Sequence, residues 1–137
     1  MKKKILSLTL IIAMLGGILI LLTGCEENSN KIYSKMINVV RNAATSVGPT
    51  FGETLDYGLE NSNWTEKTMS VYTTEVKVTG KDRETGDSIE IGWEVTSPGG
   101  DDHNYKLKTF TRNGEDKGAF SASSYIREYA LKVKEQN

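Results

Sequence analysis

Apolar residues between positions 32 and 59 recur with the period of an α-helix. The first run lies on one helical face, and Gly48 and Pro49 are expected to end it. Thr50 and Glu53 have the spacing of a capping box, in which each side chain bonds a free backbone amide of the other. We therefore predict two successive helices. Their apolar faces are Ile32, Met36, Val39, Val40, Ala43 and Val47 in the first, and Phe51, Leu55 and Leu59 in the second.

After position 64 the apolar period changes to two, which is the period of a β-strand. Trp64 lies in a polar stretch before this change and is expected to fold back onto the second helix. Met69 and Val71 alternate with one parity, and positions 72–78 alternate with the other. The first predicted strand therefore requires a bulge or a twist. A turn-rich loop follows at 81–87.

Two further strands are predicted beyond this loop. Alternation with polar residues is cleanest in the second strand, and its odd-numbered face is expected to be the inner face of the sheet. Segment 97–102 has the composition of a loop, and a third strand is expected at 105–109. The odd-numbered residues of the second strand are Ile89, Ile91, Trp93 and Val95.

The C-terminal part of the chain predicts a hairpin and a helix. Asn113-Gly114 matches a two-residue hairpin turn and is expected to lead to a short fourth strand that ends near Phe120. Residues Ser121 to Ser124 offer N-caps for the final helix. The apolar face of that helix comprises Tyr125, Ile126, Tyr129, Ala130 and Val133.

Helices and strands are therefore segregated along the chain rather than alternating, which predicts the α+β class. We expect two N-terminal helices, an antiparallel sheet of three or four strands, and a C-terminal helix packed on one sheet face. Residues 31–137 are long enough for a single domain of this kind.

The first 25 residues have the organisation of an export signal. Lys2, Lys3 and Lys4 precede an apolar run at 5–23, which is followed by the only cysteine of the chain. The sequence Leu22-Thr23-Gly24-Cys25 resembles the lipobox of bacterial lipoprotein precursors, in which the cysteine thiol receives a diacylglycerol and the preceding peptide bond is cleaved. The resemblance implies a signal peptide at 1–24 and an acylated Cys25 that anchors the mature protein to the extracytoplasmic face of the cell membrane.

The alternative is a plain N-terminal membrane anchor, because the apolar run approaches the ~20 residues that cross a bilayer. Gly16 and Gly17 weaken a helix there, and the position of Cys25 favours the lipoprotein interpretation. Both interpretations keep Lys2 to Lys4 inside and the remainder of the chain outside. Residues 25–30 are expected to be a short polar tether.

Charge and cysteine content restrict the function of the exported part. Residues 1–24 hold three of the 17 basic residues and none of the 18 acidic residues, so the remainder has a net charge near −4. This charge argues against a nucleic-acid partner, which requires clustered basic residues. Acylation would use the only thiol, so we expect no disulfide and no thiolate chemistry.

Short motifs in the domain resemble a group of small bacterial surface and secreted domains. They are Thr50-Phe51-Gly52-Glu53 at a helix start, Trp64, and the glycine-ended strand 76–80, and the likeness spans residues 48–135. The resemblance implies an α+β domain and provides no catalytic residues. The order of elements is also similar to the repeat unit of the secreted β-lactamase inhibitor proteins, which bind through a concave sheet.

Two clusters of acidic residues have some features of metal sites. Asp101, Asp102 and His103 could hold a cation, but adjacent aspartates rarely converge on one ion, and a solvated loop is favoured. Segment 82–87 resembles a calcium loop, but its glycine is fifth and no glutamate is twelfth, so a charged hairpin loop is favoured. We expect no metal and no cofactor.

We also expect no enzymatic activity, because no motif combines a nucleophile, a base and an acid. Trp93 is expected in the core, whereas Tyr72 and Tyr105 are equally compatible with a core or with a recognition patch. The outward side of the sheet is expected to carry charges of both signs, which suits a solvated face or a weak polar interface. These residues are Glu75, Lys77, Glu90, Glu94, Lys106 and Lys108.

The sequence therefore predicts a membrane-tethered, non-enzymatic binding module of the bacterial envelope. Its partners would be the membrane, through the lipid on Cys25, and an envelope or secreted protein contacted by the sheet face or by the loops at 81–87 and 97–104. The alternative is an inhibitor or immunity protein directed against a secreted or envelope-acting enzyme or toxin.

Overall fold

A computed structural model of the protein describes residues 32–99 and 101–137. Residues Tyr33–Asn137 form one compact unit. The signal peptide, Cys25 and the tether predicted at 25–30 lie outside the described residues. Within them, the elements are α1 (Lys35–Arg41), α2 (Phe51–Gly58), β1 (Leu59–Thr68), β2 (Thr73–Asp82), β3 (Ser88–Gly99), β4 (Asp102–Arg112), β5 (Glu115–Asp116) and α3 (Gly118–Glu135).

The α+β class and the antiparallel sheet are confirmed, but the predicted number of strands was wrong. The described part contains a five-stranded meander in the order β1-β2-β3-β4-β5. The missing element was β1, because its sequence is polar apart from Leu59 and Trp64. Trp64 is buried and does reach α2 as expected, but it does so from a strand.

The first helix is shorter than predicted. Its N-cap is Ser34, whose hydroxyl accepts a hydrogen bond from the Ile37 amide, and it ends at Arg41 rather than near Val47. Ile32, expected on its buried face, is 93% exposed. The helix ends early because segment 42–50 forms a loop with its own backbone hydrogen bonds.

The second helix has the predicted start. The Thr50 hydroxyl accepts a hydrogen bond from the Glu53 amide at 3.1 Å, and the Glu53 carboxylate accepts one from the Thr50 amide at 2.8 Å, which completes the capping box. The helix ends at Gly58, and Leu59 is already in β1.

The predicted bulge in the first strand was wrong. Met69 and Val71 belong to the β1–β2 turn, so the alternation in β2 has a single parity. A register shift occurs instead in β1, between Glu60 and Asn63, where Asn61 has a φ of 57°.

The predicted loop at 97–102 was also wrong, because β3 extends to Gly99 and β4 starts at Asp102. Pro98 is accommodated at a register shift between Thr96 and Gly99, where its missing amide disrupts no ladder bond.

The hairpin turn at Asn113-Gly114 is confirmed, with φ values of 53° and 83° at the two residues. The strand that follows has only two residues, Glu115–Asp116, and Phe120 lies in α3. The expectation of an N-cap among Ser121 to Ser124 was therefore wrong. The helix starts at Gly118, and its N-cap residue Lys117 makes no side-chain capping bond.

A single apolar core joins the helices to the inner face of the sheet. The odd-numbered face of β3 is buried as predicted, and Trp93 is 1% exposed. The helices contribute to the same cluster on that side of the sheet. Their core residues are Ile37 and Val40 from α1, Leu55 from α2, and Ala122, Tyr125, Ile126 and Tyr129 from α3.

Candidate functional site

A groove opens on the helix side of the sheet, between the 42–50 loop, strands β3 and β4, and helix α3. Its volume is about 310 Å³. Polar side chains from the loop and from α3 line it: Thr45, Ser46, Ser123 and Arg127. Its apolar lining consists of Ala44, Phe51, Trp93, Tyr105, Leu107 and Ile126, and we call this site the helix-side groove.

One wall of the helix-side groove is the 42–50 loop, which is fixed by backbone hydrogen bonds. The Thr45 amide donates to the Pro49 carbonyl at 2.8 Å, and the Phe51 amide donates to the Ala43 carbonyl at 2.9 Å. The loop can fold back on itself in this way because Gly48 adopts a φ of 125°. These bonds place Thr45 against the core, where it is 9% exposed.

Aromatic rings form the opposite wall. Phe51 contacts Trp93 edge to face, with ring centroids 5.5 Å apart, and contacts Tyr105 in the same manner at 6.0 Å. Trp93 also stacks on Trp64 at 5.7 Å. Such edge and stacked contacts stabilise aromatic clusters beyond simple burial.

Two residues of the groove carry buried polar atoms that lack a hydrogen-bond partner within the described residues. They are the Oγ1 of Thr45 and the Nε1 of Trp93. The indole nitrogen is a donor only, and the hydroxyl both donates and accepts. A buried polar group without a partner lowers the free energy of unfolding by about 1–3 kcal/mol, and this part of the domain contains two such groups.

Among the described residues that line the helix-side groove, Arg127 is the only charged one, and it is exposed. A groove of this kind suits an apolar or aromatic group that carries a neutral polar or anionic atom. Of the two tyrosines left open by the sequence, Tyr105 is 40% exposed and lines this groove. Tyr72 is 62% exposed and lies in the β1–β2 turn.

The residues proposed from sequence as a calcium loop do not converge on one point. Asp82 is 2% exposed and accepts hydrogen bonds from the hydroxyls of Tyr125 and Tyr129. Glu84 instead forms an ion pair with Lys132. Asp87 pairs with Arg112 at 3.2 Å. The segment is a charged hairpin connection with one carboxylate directed into the domain.

Burial by itself raises the pKa of Asp82, but its hydrogen bonds outweigh burial and lower that pKa to about 2. The donors are the Tyr125 hydroxyl, the amides of Thr85 and Glu84, and the Tyr129 hydroxyl. Burial and the adjacent carboxylate raise the pKa of Tyr125 well above its usual value. The sequence predicted Asp82 in a charged hairpin loop, and its buried link to α3 was not predicted.

His103 lies on β4 rather than in a loop. Its Nδ1 is 2.7 Å from the Ser97 hydroxyl, and its Nε2 is buried without a partner among the described residues. Asp101 instead pairs with Lys35 at 3.3 Å. The sequence indicated no serine partner for this histidine, because Ser97 is on the neighbouring strand. The pair has no carboxylate on the other ring nitrogen, which a catalytic triad requires.

The outward side of the sheet is polar, as the alternation predicted. Lys77 forms a cross-strand ion pair with Glu90 on β3 at 3.0 Å and a second ion pair, within β2, with Glu75 at 4.0 Å. Lys108 is exposed, and the register shift opposite Gly92 and Trp93 makes it the extra residue of a bulge. Ion pairs on such a face contribute little to stability or to affinity.

Two general observations apply to residues 32–99 and 101–137. In that part of the chain, no three His, Cys, Asp or Glu side chains are grouped closely enough to hold a metal ion. None of its helices combines the length and the apolar character needed to cross a membrane.

No protein-family model, no curated protein and no solved structure matches this chain.

Proposed function

We propose that this protein is a lipoprotein of the bacterial cell membrane, anchored on the extracytoplasmic face through a diacylglycerol on Cys25. The α+β domain is then a non-enzymatic binding module for an envelope or secreted protein. The observation that carries the binding role is the helix-side groove with its aromatic wall.

The groove is large enough to hold a side chain of a protein partner. Sites for drug-sized ligands occupy about 300–1,000 Å³, and this groove lies at the lower end of that range. An aromatic or aliphatic side chain would bury apolar area against Phe51 and Leu107. A polar or anionic atom on the same segment would bond Arg127, the exposed charged residue of the groove.

The groove is a better contact surface than the outward sheet face. Binding energy in protein interfaces is concentrated in a few apolar or aromatic anchors that fill pockets. On the outward face Lys77 is already paired with Glu75 and Glu90, whereas the groove offers a pocket. We therefore move the predicted contact from the sheet face and the loops to the helix side.

Site-specific photocrosslinking in living cells tests the binding role. A photoreactive phenylalanine analogue replaces Tyr105, which lines the groove, or Lys106, the next residue on β4, which is exposed on the other face. We expect a defined protein adduct from position 105 and none from position 106. Equal adducts from both positions, or none from position 105, would contradict the proposal.

A blocking variant shows whether the adduct depends on the groove itself. Ser123→Trp places a large ring into the groove from an exposed position of α3, and Ser124→Trp places the same ring outside it. We expect Ser123→Trp to abolish the adduct and Ser124→Trp to retain it. Retention in both variants would assign the adduct to another surface.

The lipid anchor is tested separately by mass spectrometry of the protein purified from membranes. We expect a polypeptide that begins at Cys25 and carries a diacylglycerol on the sulfur. Cys25→Ala should retain residues 1–24, because the signal peptidase acts on the acylated cysteine. A bare thiol on an uncleaved chain would remove the basis for the membrane location.

A further inference from the structure

The turn between β1 and β2 is an exposed apolar tip. Met69 is 56% exposed, Val71 is 88% exposed and Tyr72 is 62% exposed. Together with Ser70, these residues make an uncharged segment 69–72 on a domain whose surface is otherwise rich in charges. Clustered exposed apolar side chains of this kind mark contact sites rather than ordinary surface.

The tip has a defined conformation. The amides of Met69 and Ser70 donate hydrogen bonds to the Thr73 carbonyl at 2.9 and 3.1 Å. The Ser97 amide donates to the Tyr72 carbonyl at 2.9 Å, which ties the turn to β3. The side chains are therefore presented by a fixed turn, and exposing them serves no folding purpose visible in the domain.

The N-terminal end of the domain lies at the same end of the sheet as this tip. The Ser34 hydroxyl donates a hydrogen bond to Glu66, two residues before the end of β1. Lys35 pairs with Asp101, between β3 and β4. Because strands β1 to β4 are antiparallel, the end of β1 and the start of β2 lie beside the end of β3 and the start of β4.

The length of the chain before Ser34 limits how far this end of the sheet is from the lipid. Nine residues from Cys25 to Ser34 span at most about 30 Å when fully extended. The opposite end of the sheet is farther by the length of a ten-residue strand, about 33 Å. The tip is thus on the part of the domain that the tether holds near the bilayer.

We propose that Met69, Val71 and Tyr72 insert into the interfacial region of the membrane to which Cys25 is anchored. This inference rests on the acylation set out under the proposed function. Aliphatic side chains gain from leaving water there, and tyrosine is enriched at the membrane interface because its ring is apolar and its hydroxyl polar. The contact fixes the orientation of the domain on the bilayer.

The charges around the tip indicate a contact that depends on apolar burial. Lys35 and Lys67 are accompanied by Glu66, Asp101 and Asp102, so the surround has no excess of positive charge. Attraction to anionic lipid headgroups would need such an excess. We therefore expect the contact to be as strong on zwitterionic vesicles as on anionic ones, and to persist in high salt.

Tryptophan fluorescence of the acylated full-length protein in vesicles tests the insertion. Val71→Trp places a reporter on the tip, and Phe120→Trp places one at a residue that is also exposed, by 85%, near the opposite end of the sheet. In phosphatidylcholine vesicles we expect bromination of the lipid chains to quench the added emission of Val71→Trp several-fold more than that of Phe120→Trp. Equal quenching of the two variants would overturn the proposal.

Two further measurements keep the outcomes distinct. Tyr72→Trp is a second tip reporter and should be quenched like Val71→Trp, while circular dichroism verifies that each variant is folded. A blue shift that grows with protein concentration and does not respond to brominated lipid would assign the tip to a second copy of the chain and overturn the proposal. Mass spectrometry of the same sample reports acylation, so a failed anchor is recognised independently of the tip.

Discussion

The hydroxyl of Tyr125 on α3 donates a 2.6 Å hydrogen bond to the carboxylate of Asp82 at the end of β2. Tyr129, one helical turn later, donates to the same carboxylate at 3.0 Å. The Asp82 carboxylate also accepts bonds from the amides of Glu84 and Thr85. One buried carboxylate therefore joins the C-terminal helix to the sheet and orders the turn that follows β2.

The first prediction concerns the pH dependence of stability. The pKa of Asp82 is about 2 in the folded domain against 3.8 when unperturbed, so the folded state binds fewer protons between these values. This contribution, about 2 kcal/mol, is fully present above pH 4 and is lost as the pH falls through 2. We expect the free energy of unfolding of Asp82→Asn, measured by urea titration between pH 2 and 7, to fall less steeply at acid pH than that of the native protein.

The control for Asp82→Asn is Asp102→Asn, which removes an exposed carboxylate. We expect this variant to keep the acid limb of the native protein. An unchanged acid limb in Asp82→Asn would show that the tyrosine bonds do not favour the charged form.

The second prediction concerns the contact between α2 and α3. A Cβ placed on Gly58 would lie 2.8 Å from the ring of Tyr129, which is closer than side chains normally approach. We expect Gly58→Ala to lower the free energy of unfolding by about 1–3 kcal/mol, as overpacking of a core does. Gly99→Ala is the matched control, because no atom lies within 4 Å of its added Cβ. Thermal denaturation would refute the prediction if both variants melted together.

The third prediction concerns the capping box of α2. Thr50→Ala removes the acceptor for the Glu53 amide, and we expect a loss of about 1 kcal/mol in unfolding free energy. Glu53→Gln keeps an oxygen that accepts from the Thr50 amide, so its loss should be smaller. Chemical denaturation followed by the emission of the buried Trp64 and Trp93 measures both. An equal loss in the two variants would argue against the capping role.

The fourth prediction concerns Asp56, which organises the contact between α1, α2 and β1. Its carboxylate pairs with Arg41 at 2.8 Å and accepts from the Trp64 indole at 3.0 Å. Burial by itself raises the pKa of Asp56, but the hydrogen bonds from Arg41, Trp64 and Ser62, together with the charge of Arg41, lower that pKa below its usual value. We expect Asp56→Ala to cost about 1–3 kcal/mol, because Arg41 and Trp64 then lose their partner.

Asp101→Ala is the control for Asp56→Ala, because its ion pair with Lys35 is almost fully exposed. We expect its denaturation midpoint to match that of the native protein. The prediction fails if the two aspartate variants lose equal stability, since the half-buried network around Asp56 would then contribute no more than a surface ion pair.

The elements that the sequence predicted correctly are those with a strong local signal. The Thr50 capping box, the Asn113-Gly114 turn and the alternation of β3 depend on residues that are neighbours in sequence. Strand β1 was missed because Leu59 and Trp64 are the only apolar residues among its ten. Its conformation is determined by its pairing with β2. The length of α1 was overestimated because the 42–50 loop continues the helical spacing of apolar residues.

The candidate site could not be read from the pattern at all. The groove residues Thr45, Trp93 and Arg127 come from a loop, a strand and a helix that are far apart in the chain. Ser97 and His103 likewise meet only because β3 and β4 pair. Contacts between residues so far apart in the sequence leave no pattern in local residue spacing.

By itself, the sequence determined the α+β class, the inner face of β3, the start of α2 and the Asn113-Gly114 turn, because these follow from the periodicity and chemistry of adjacent residues. It also supplied the lipobox-like segment at Cys25, on which the proposed location rests. Only the tertiary structure decided that Asp82 is a buried link to α3, that a groove lies beside Trp93, and that the apolar tip is at the same end of the sheet as Ser34 and Lys35. Those relationships depend on which strands pair and where helices pack, and they are set by the free energy of the whole fold rather than by neighbours along the chain.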